Sequence, residues 1–82
     1  MSKAHDPITP GEILLTEFMT PLNLTLSELA SMTGLSIVTI HDIIRGKQYI
    51  SKDISLRLAM AFNVHESFWL HIQEDYDIEM TN

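Results

Sequence analysis

The chain has 82 residues, 45% apolar and 20% charged, enough for one domain with a modest core and too apolar for a disordered polymer. Its lack of cysteine excludes disulfides and thiolate metal sites and fits a reducing cytosol, while a net charge of −6 runs against the basic footprint of most DNA-binding proteins. No basic segment leads into an apolar leader and no apolar run approaches the ~18 residues of a membrane span, so a cytoplasmic protein with no membrane partner is expected.

Residues 1–8 have no periodicity and are expected to form a loose arm before a single domain over 9–78, with 79–82 as a tail. Thr9, Pro10 and Glu12 announce the first helix. Thr9 suits the N-cap, Pro10 the first helical position, and Glu12 closes a capping box. Ile13, Leu14 and Phe18 continue an apolar stripe to about Met19, where Pro21 predicts a stop and Asn23 a left-handed turn. Thr25 and Glu28 form a second capping box, opening a helix to about Thr33. Its inward residues are Leu29 and Ala30, the latter small enough for a close helix crossing. Gly34 supplies a positive-φ stop, and Ser36 caps the next helix, residues 37–45, whose Ile40, Ile43 and Ile44 face the core. Gly46 ends it, and Lys47–Ile50 form a loop. Ser51 caps a fourth helix with Ile54, Leu58, Ala59 and Phe62 at the spacing of a buried stripe, ended by Asn63. A fifth runs from about Glu66 to Tyr76 with Phe68, Trp69, Ile72 and Tyr76. The expectation is an all-α, compact five-helix bundle.

Residues 25–46 within it have the pattern of a helix-turn-helix, a motif whose second helix lies in the DNA major groove. On the outer side of that helix stand Ser36, Ile37, Val38, Thr39, His41, Asp42 and Arg45. Ser36 and Thr39 are candidates for phosphate or base contacts, His41 for either, and Asp42 for a cytosine amino group. Arg45 and Lys47 are candidates for neutralising phosphates. Thr25 and Ser27, at the start of the preceding helix, offer hydroxyls to a phosphate, although capping is the commoner role for Thr25. Ile37 and Val38 cannot donate hydrogen bonds to bases and are limited to thymine methyls; the alternative is a protein-contact patch. Charge is polarised along the chain. Arg45, Lys47, Lys52 and Arg57 oppose only Asp53, giving +3 over 45–57, whereas Glu66, Glu74, Asp75, Asp77 and Glu79 follow with no base.

Phe68 is the expected core aromatic of the last helix. Trp69, Ile72 and Tyr76 are candidates for a dimer or partner interface, because two large aromatics near the end exceed what a small monomer needs to bury. His71, Glu74 and Asp75 share a face, for which a polar helix surface is the expectation rather than a metal site. No cofactor, metal or catalytic set is expected: there is no cysteine, no glycine-rich phosphate loop and no Ser/His/Asp arrangement in register.

Over residues 6 to 78 the chain resembles the HigA-type antitoxins, also called the virulence-associated protein I group, within the Cro/repressor-like (XRE) helix-turn-helix class. The resemblance is carried by Pro10-Gly11-Glu12-Ile13-Leu14, Glu17-Phe18 and Pro21-Leu22, then by Leu29-Ala30 with Gly34 and by Ser51 to Leu58-Ala59. It ends in Phe68-Trp69-Leu70, Gln73 and Tyr76-Asp77. It implies a lambda-repressor-like fold and a homodimeric repressor of its own operator on double-stranded DNA. It also implies an antitoxin whose partner is a small basic mRNA-cleaving toxin. The chain departs from the family pattern at Thr33, at Ile37 and Val38, and at Arg45. A protein-binding module that neutralises a basic toxin without reading DNA sequence is the competing expectation.

Overall fold

The structure is a computed structural model that describes residues 8–81. The expected N-terminal arm thus lies, apart from Ile8, outside the described residues, as does Asn82. Every regular element among the described residues is helical. The first is one rod, α1, over residues 10–22, made of α-helical Pro10–Ile13, π-helical Leu14–Met19 and α-helical Thr20–Leu22. It is followed by α2 (Leu26–Thr33), α3 (Ile37–Ile44), α4 (Lys52–Phe62) and α5 (Phe68–Thr81).

The caps sit where local chemistry demands them. Thr9 and Thr25 each accept from the N–H three residues on, while Glu12 and Glu28 return the bond to the cap N–H at 2.9 and 2.8 Å. Ser36 and Ser51 cap α3 and α4 through their hydroxyls. Asn23, Gly34, Gly46 and Asn63 all take positive φ, between 56° and 77°, and break the chain out of its helices.

Two boundaries differ from expectation. Pro21 lies inside α1 instead of ending it. Proline in an α-helix presses its ring on the preceding turn and leaves a carbonyl without a donor. The preceding turn widens to π geometry, and the Thr20 N–H reaches back to the Leu15 carbonyl. The rod then closes at Asn23. At the other end α5 begins at Phe68, after a turn in which the Ser67 N–H and hydroxyl both meet His65 Nδ1, and it continues through residues 79–81 beyond Tyr76.

The core collects Leu14 and Met19 from α1, Leu29 from α2, Ile40 and Ile43 from α3, Ile50, then Ile54, Leu58 and Ala59 from α4 and Trp69 from α5. Trp69 is wholly buried, which removes it from the candidate interface residues. Its ring stands 5.0 Å from Phe18, 5.2 Å from Phe68 and 6.4 Å from Phe62, centroid to centroid. Phe68, the expected core aromatic, is only partly buried and forms the wall of this cluster. The start of α5 decides which of the two turns inward. Ser55, itself wholly buried, donates to the Glu66 carbonyl and accepts the Leu70 N–H, pinning the first turn of α5 against α4. In that register Trp69 and Gln73, four residues apart, point inward.

Candidate nucleic-acid interface

Helix α3 presents its candidate residues in one arc because the helical period puts Ile40 and Ile43 in the core. Ile37, His41, Arg45 and Val38 are exposed, and Asp42 and Thr39 are half-buried at the margins of that arc. Thr25 and Ser27 are exposed in the first turns of α2. The Thr25 hydroxyl accepts the Glu28 N–H at 3.0 Å, so capping is its structural duty, and its own proton is left for another acceptor. Ser36 and Thr39 are bonded to each other, Oγ to Oγ1, at 2.9 Å, and Ser36 Oγ also accepts the Thr39 N–H. Both hydroxyls are therefore held in place at the leading end of α3.

Two close approaches fix α3 against its surroundings. Gly11 of α1 lies against the end of α3. A methyl group there would run into the Ile43 carbonyl oxygen and stand 2.8 Å from Ile43 C and Ile44 Cα. The sequence marks this glycine only as part of a helix start; its packing role becomes visible when α1 and α3 are in contact. The turn between α2 and α3 is held by Thr33. Its Oγ1 donates to the Leu29 carbonyl at 2.8 Å and accepts the Leu35 N–H at 3.1 Å. A residue that departs from the family pattern thus stays buried with its hydroxyl satisfied.

The loop after α3 carries Lys47. Gly46 bends it back, and the Lys47 and Gln48 N–H groups both reach the Asp42 carbonyl, at 2.7 and 3.2 Å. Its far end is tied to α5 by two bonds, and a third within α5 joins their acceptors. The buried Ile50 N–H donates to Gln73 Oε1 at 3.0 Å, and Gln73 Nε2 donates to Asp77 Oδ1 at 3.0 Å. The Tyr49 hydroxyl donates to Asp77 Oδ2 at 3.2 Å. That bond, with the negative charges of Asp77 and Glu74, holds the Tyr49 phenol above its ordinary pKa. A cleft of about 290 Å³ opens beneath this loop between Thr9–Gly11 and Gln73, Tyr76 and Asp77.

The four bases of 45–57 do not act together. Arg45 and Lys47 are exposed on either side of Gly46, and Lys52 is exposed at the start of α4. Arg57 is engaged elsewhere: Nε meets Asp53 at 2.9 Å and Nη1 donates to the Thr33 carbonyl at 3.1 Å, closing the C-terminal end of α2. Its partner is 24 residues distant in sequence, and no local pattern announces it. On α5, Ile72 and Tyr76 are half-buried, while Ile78 and Met80 are exposed among Glu74, Asp75 and Glu79. Among the described residues no group of three His, Asp or Glu side chains converges as a metal site would require, and no helix is long and apolar enough to cross a membrane.

A model of the helix-turn-helix family (HTH_3) matches residues 15–69, which spans α2, the turn and α3 together with α4. The chain is 37% identical over 73 residues to virulence-associated protein I of Dichelobacter nodosus, covering 89% of this chain and 68% of that protein. The chain belongs to the helix-turn-helix family, within its HigA-type group. The chain is also 33% identical over 72 residues, 88% of its length, to the uncharacterised HTH-type transcriptional regulator YbaQ of Escherichia coli, and it spans 64% of that relative's length. Among solved structures, the Pseudomonas aeruginosa antitoxin HigA with the higBA promoter superposes with a TM-score of 0.87 at 35% identity, covering 92% of this chain and 82% of that one. In this chain Gly11 supports the placement of α3, and Gln73 and Asp77 that of the loop that follows it.

Proposed function

We propose that this protein is a dimeric DNA-binding repressor and the antitoxin of a toxin–antitoxin pair, working in the bacterial cytoplasm on its own operator. The observation that carries this reading is the outward arc of α3, with Arg45 and Lys47 at its trailing end, on a backbone that superposes on a HigA bound to promoter DNA. Two such helices related by two-fold symmetry would enter successive major grooves about 34–36 Å apart. Ile72 and Tyr76 on α5 supply the candidate dimer contact, and the acidic, part-apolar outer face of that helix suits a basic toxin by charge. The net charge of −6 is no obstacle, because cations at the groove-facing end and acids on α5 orient the molecule toward phosphate by one side.

The test is binding to the DNA immediately upstream of its own gene across a salt series. Each phosphate contact contributes a slope of about −0.9 in log K against log salt. Arg45→Ala with Lys47→Ala should weaken binding and flatten that slope by about two contacts. Absence of binding at low salt by the intact protein would overturn the repressor reading and leave the protein-binding module.

A further inference from the structure

The leading end of α3 is apolar where a reader of polar base edges would be polar. Ile37 and Val38 are its first two residues, and both are exposed, Val38 at 68% of its surface and Ile37 at 47%. Neither packs into the core at these exposures, and neither side chain has a donor or acceptor. Ser36 and Thr39 on either side of them spend one hydroxyl bond on each other at the cap. The polar residues of the arc, His41, Asp42 and Arg45, come one turn or more later.

On the proposed function's reading, in which α3 lies in the major groove, the N-terminal residues of the helix are those that meet base edges. A branched aliphatic side chain discriminates one feature there. The 5-methyl of thymine is the sole methyl group on the major-groove edge of a base pair; the donors and acceptors there are groups that an aliphatic side chain would desolvate without replacement. We infer that Ile37 and Val38 are specificity-determining residues that read thymine 5-methyl groups at each half-site. The same patch as a protein-docking surface would share its outward helix face with the exposed cations Arg45 and Lys47 at the other end of α3, and that charge pattern favours the polyanion. The two side chains project about 100° apart around the helix, so each would meet a separate methyl.

The experiment uses the shortest duplex from upstream of the gene that the intact protein binds, and the same duplex with each thymine replaced by deoxyuridine. This exchange keeps every base-pairing and groove hydrogen-bonding group and removes the methyls alone. Wild-type protein should bind the uracil duplex more weakly, about fourfold for each methyl read, the factor that about 0.8 kcal/mol per buried carbon group converts to. The Ile37→Ala, Val38→Ala variant should show a smaller difference between the two duplexes, because only the short β-methyls remain. Both positions are exposed, so its melting temperature should match wild type, and Val38→Thr, which keeps one methyl, should retain part of the discrimination. Equal binding of both duplexes by wild type, or full discrimination by the double alanine variant, would overturn the inference while salt-sensitive binding upheld the repressor reading. Failure to bind any duplex at low salt would overturn both.

Discussion

The side-chain oxygen of Gln73 accepts the backbone N–H of Ile50 at 3.0 Å, across 23 residues of sequence. Ile50 is wholly buried, so this bond satisfies a main-chain donor that water does not reach. It also joins the loop bearing Lys47 to α5, and so links the cationic side of the molecule to its acidic side. Gln73→Ala should lower stability by about 1–3 kcal/mol, the cost of a buried donor left unsatisfied. For a domain of this size that is a fall of about 4–8 °C in melting temperature for each kcal/mol. Gln73→Glu keeps the acceptor but sets a carboxylate against Asp77, and should fall between wild type and alanine. Calorimetry settles the order; an unchanged melting temperature in the alanine variant would show that the loop is not held by this bond.

Tyr49 reports on the same link through its titration. Its hydroxyl donates to Asp77 Oδ2, and the neighbouring carboxylates disfavour a phenolate, so its folded pKa lies above the ordinary value of about 10. The folded state therefore holds this proton more tightly than the unfolded chain. The stability it contributes is complete below the ordinary phenol pKa and disappears as pH rises through the raised folded value. Ring-carbon NMR of Tyr49 should show ionisation above the ordinary range, and Asp77→Ala should bring it back. Titration at the ordinary value in the wild-type protein would show that the Tyr49–Asp77 bond does not persist in solution.

The parts of this fold legible from sequence are those governed by neighbours within four residues. Thr9 with Glu12, Thr25 with Glu28, and the hydroxyls of Ser36 and Ser51 cap helices through bonds the chain makes with itself over three residues. The outward arc of α3 is legible for the same reason, since Ile40 and Ile43 fix its inner side by period alone. What was not legible depends on partners brought together by folding. Pro21 reads as a terminator until the widened turn before it accommodates the ring. Trp69 and Phe68 are adjacent and equally apolar, and only the grip of Ser55 on the first turn of α5 turns Trp69 inward. Among the bases, Arg57 shows in sequence only its i,i+4 partner Asp53, because its acceptor on Thr33 belongs to another helix.

Gly11 and Gly46 separate space from backbone conformation. At Gly46 a Cβ would meet nothing within 4 Å, so alanine there incurs only the left-handed φ of 76°, about 1–2 kcal/mol. At Gly11 the φ is unexceptional, but the methyl would collide with main-chain atoms of Ile43 and Ile44, which cannot rotate away as a side chain does. Gly11→Ala has to push α1 off α3, and overpacking of this kind costs about 1–3 kcal/mol or more. Denaturant titration should find Gly11→Ala the less stable of the two variants. Gly11→Ala should also weaken operator binding, because α3 loses its backing. The reverse order of stabilities would mean that α1 and α3 are not in contact through this glycine.

Arg57 and Arg45 should give opposite signatures when each is replaced by alanine. Arg57 is part-exposed, and its pair with Asp53 is a surface i,i+4 contact of the sort worth well under about 1 kcal/mol. Its bond to the Thr33 carbonyl matters more for position, since that carbonyl ends α2 where the chain turns toward α3. Arg57→Ala should therefore lower the melting temperature modestly and leave the salt slope of operator binding as it is, because the guanidinium is already committed within the protein. Arg45→Ala removes an exposed cation whose side chain makes no hydrogen bond or ion pair among the described residues. It should leave the melting temperature unchanged and reduce the salt slope by about 0.9. Measuring both quantities on both variants tests the division between the cation that supports the motif and the cation that faces phosphate. A salt slope lowered by Arg57→Ala to the same extent would place Arg57 among the phosphate contacts and contradict the assignment of its side chain to α2.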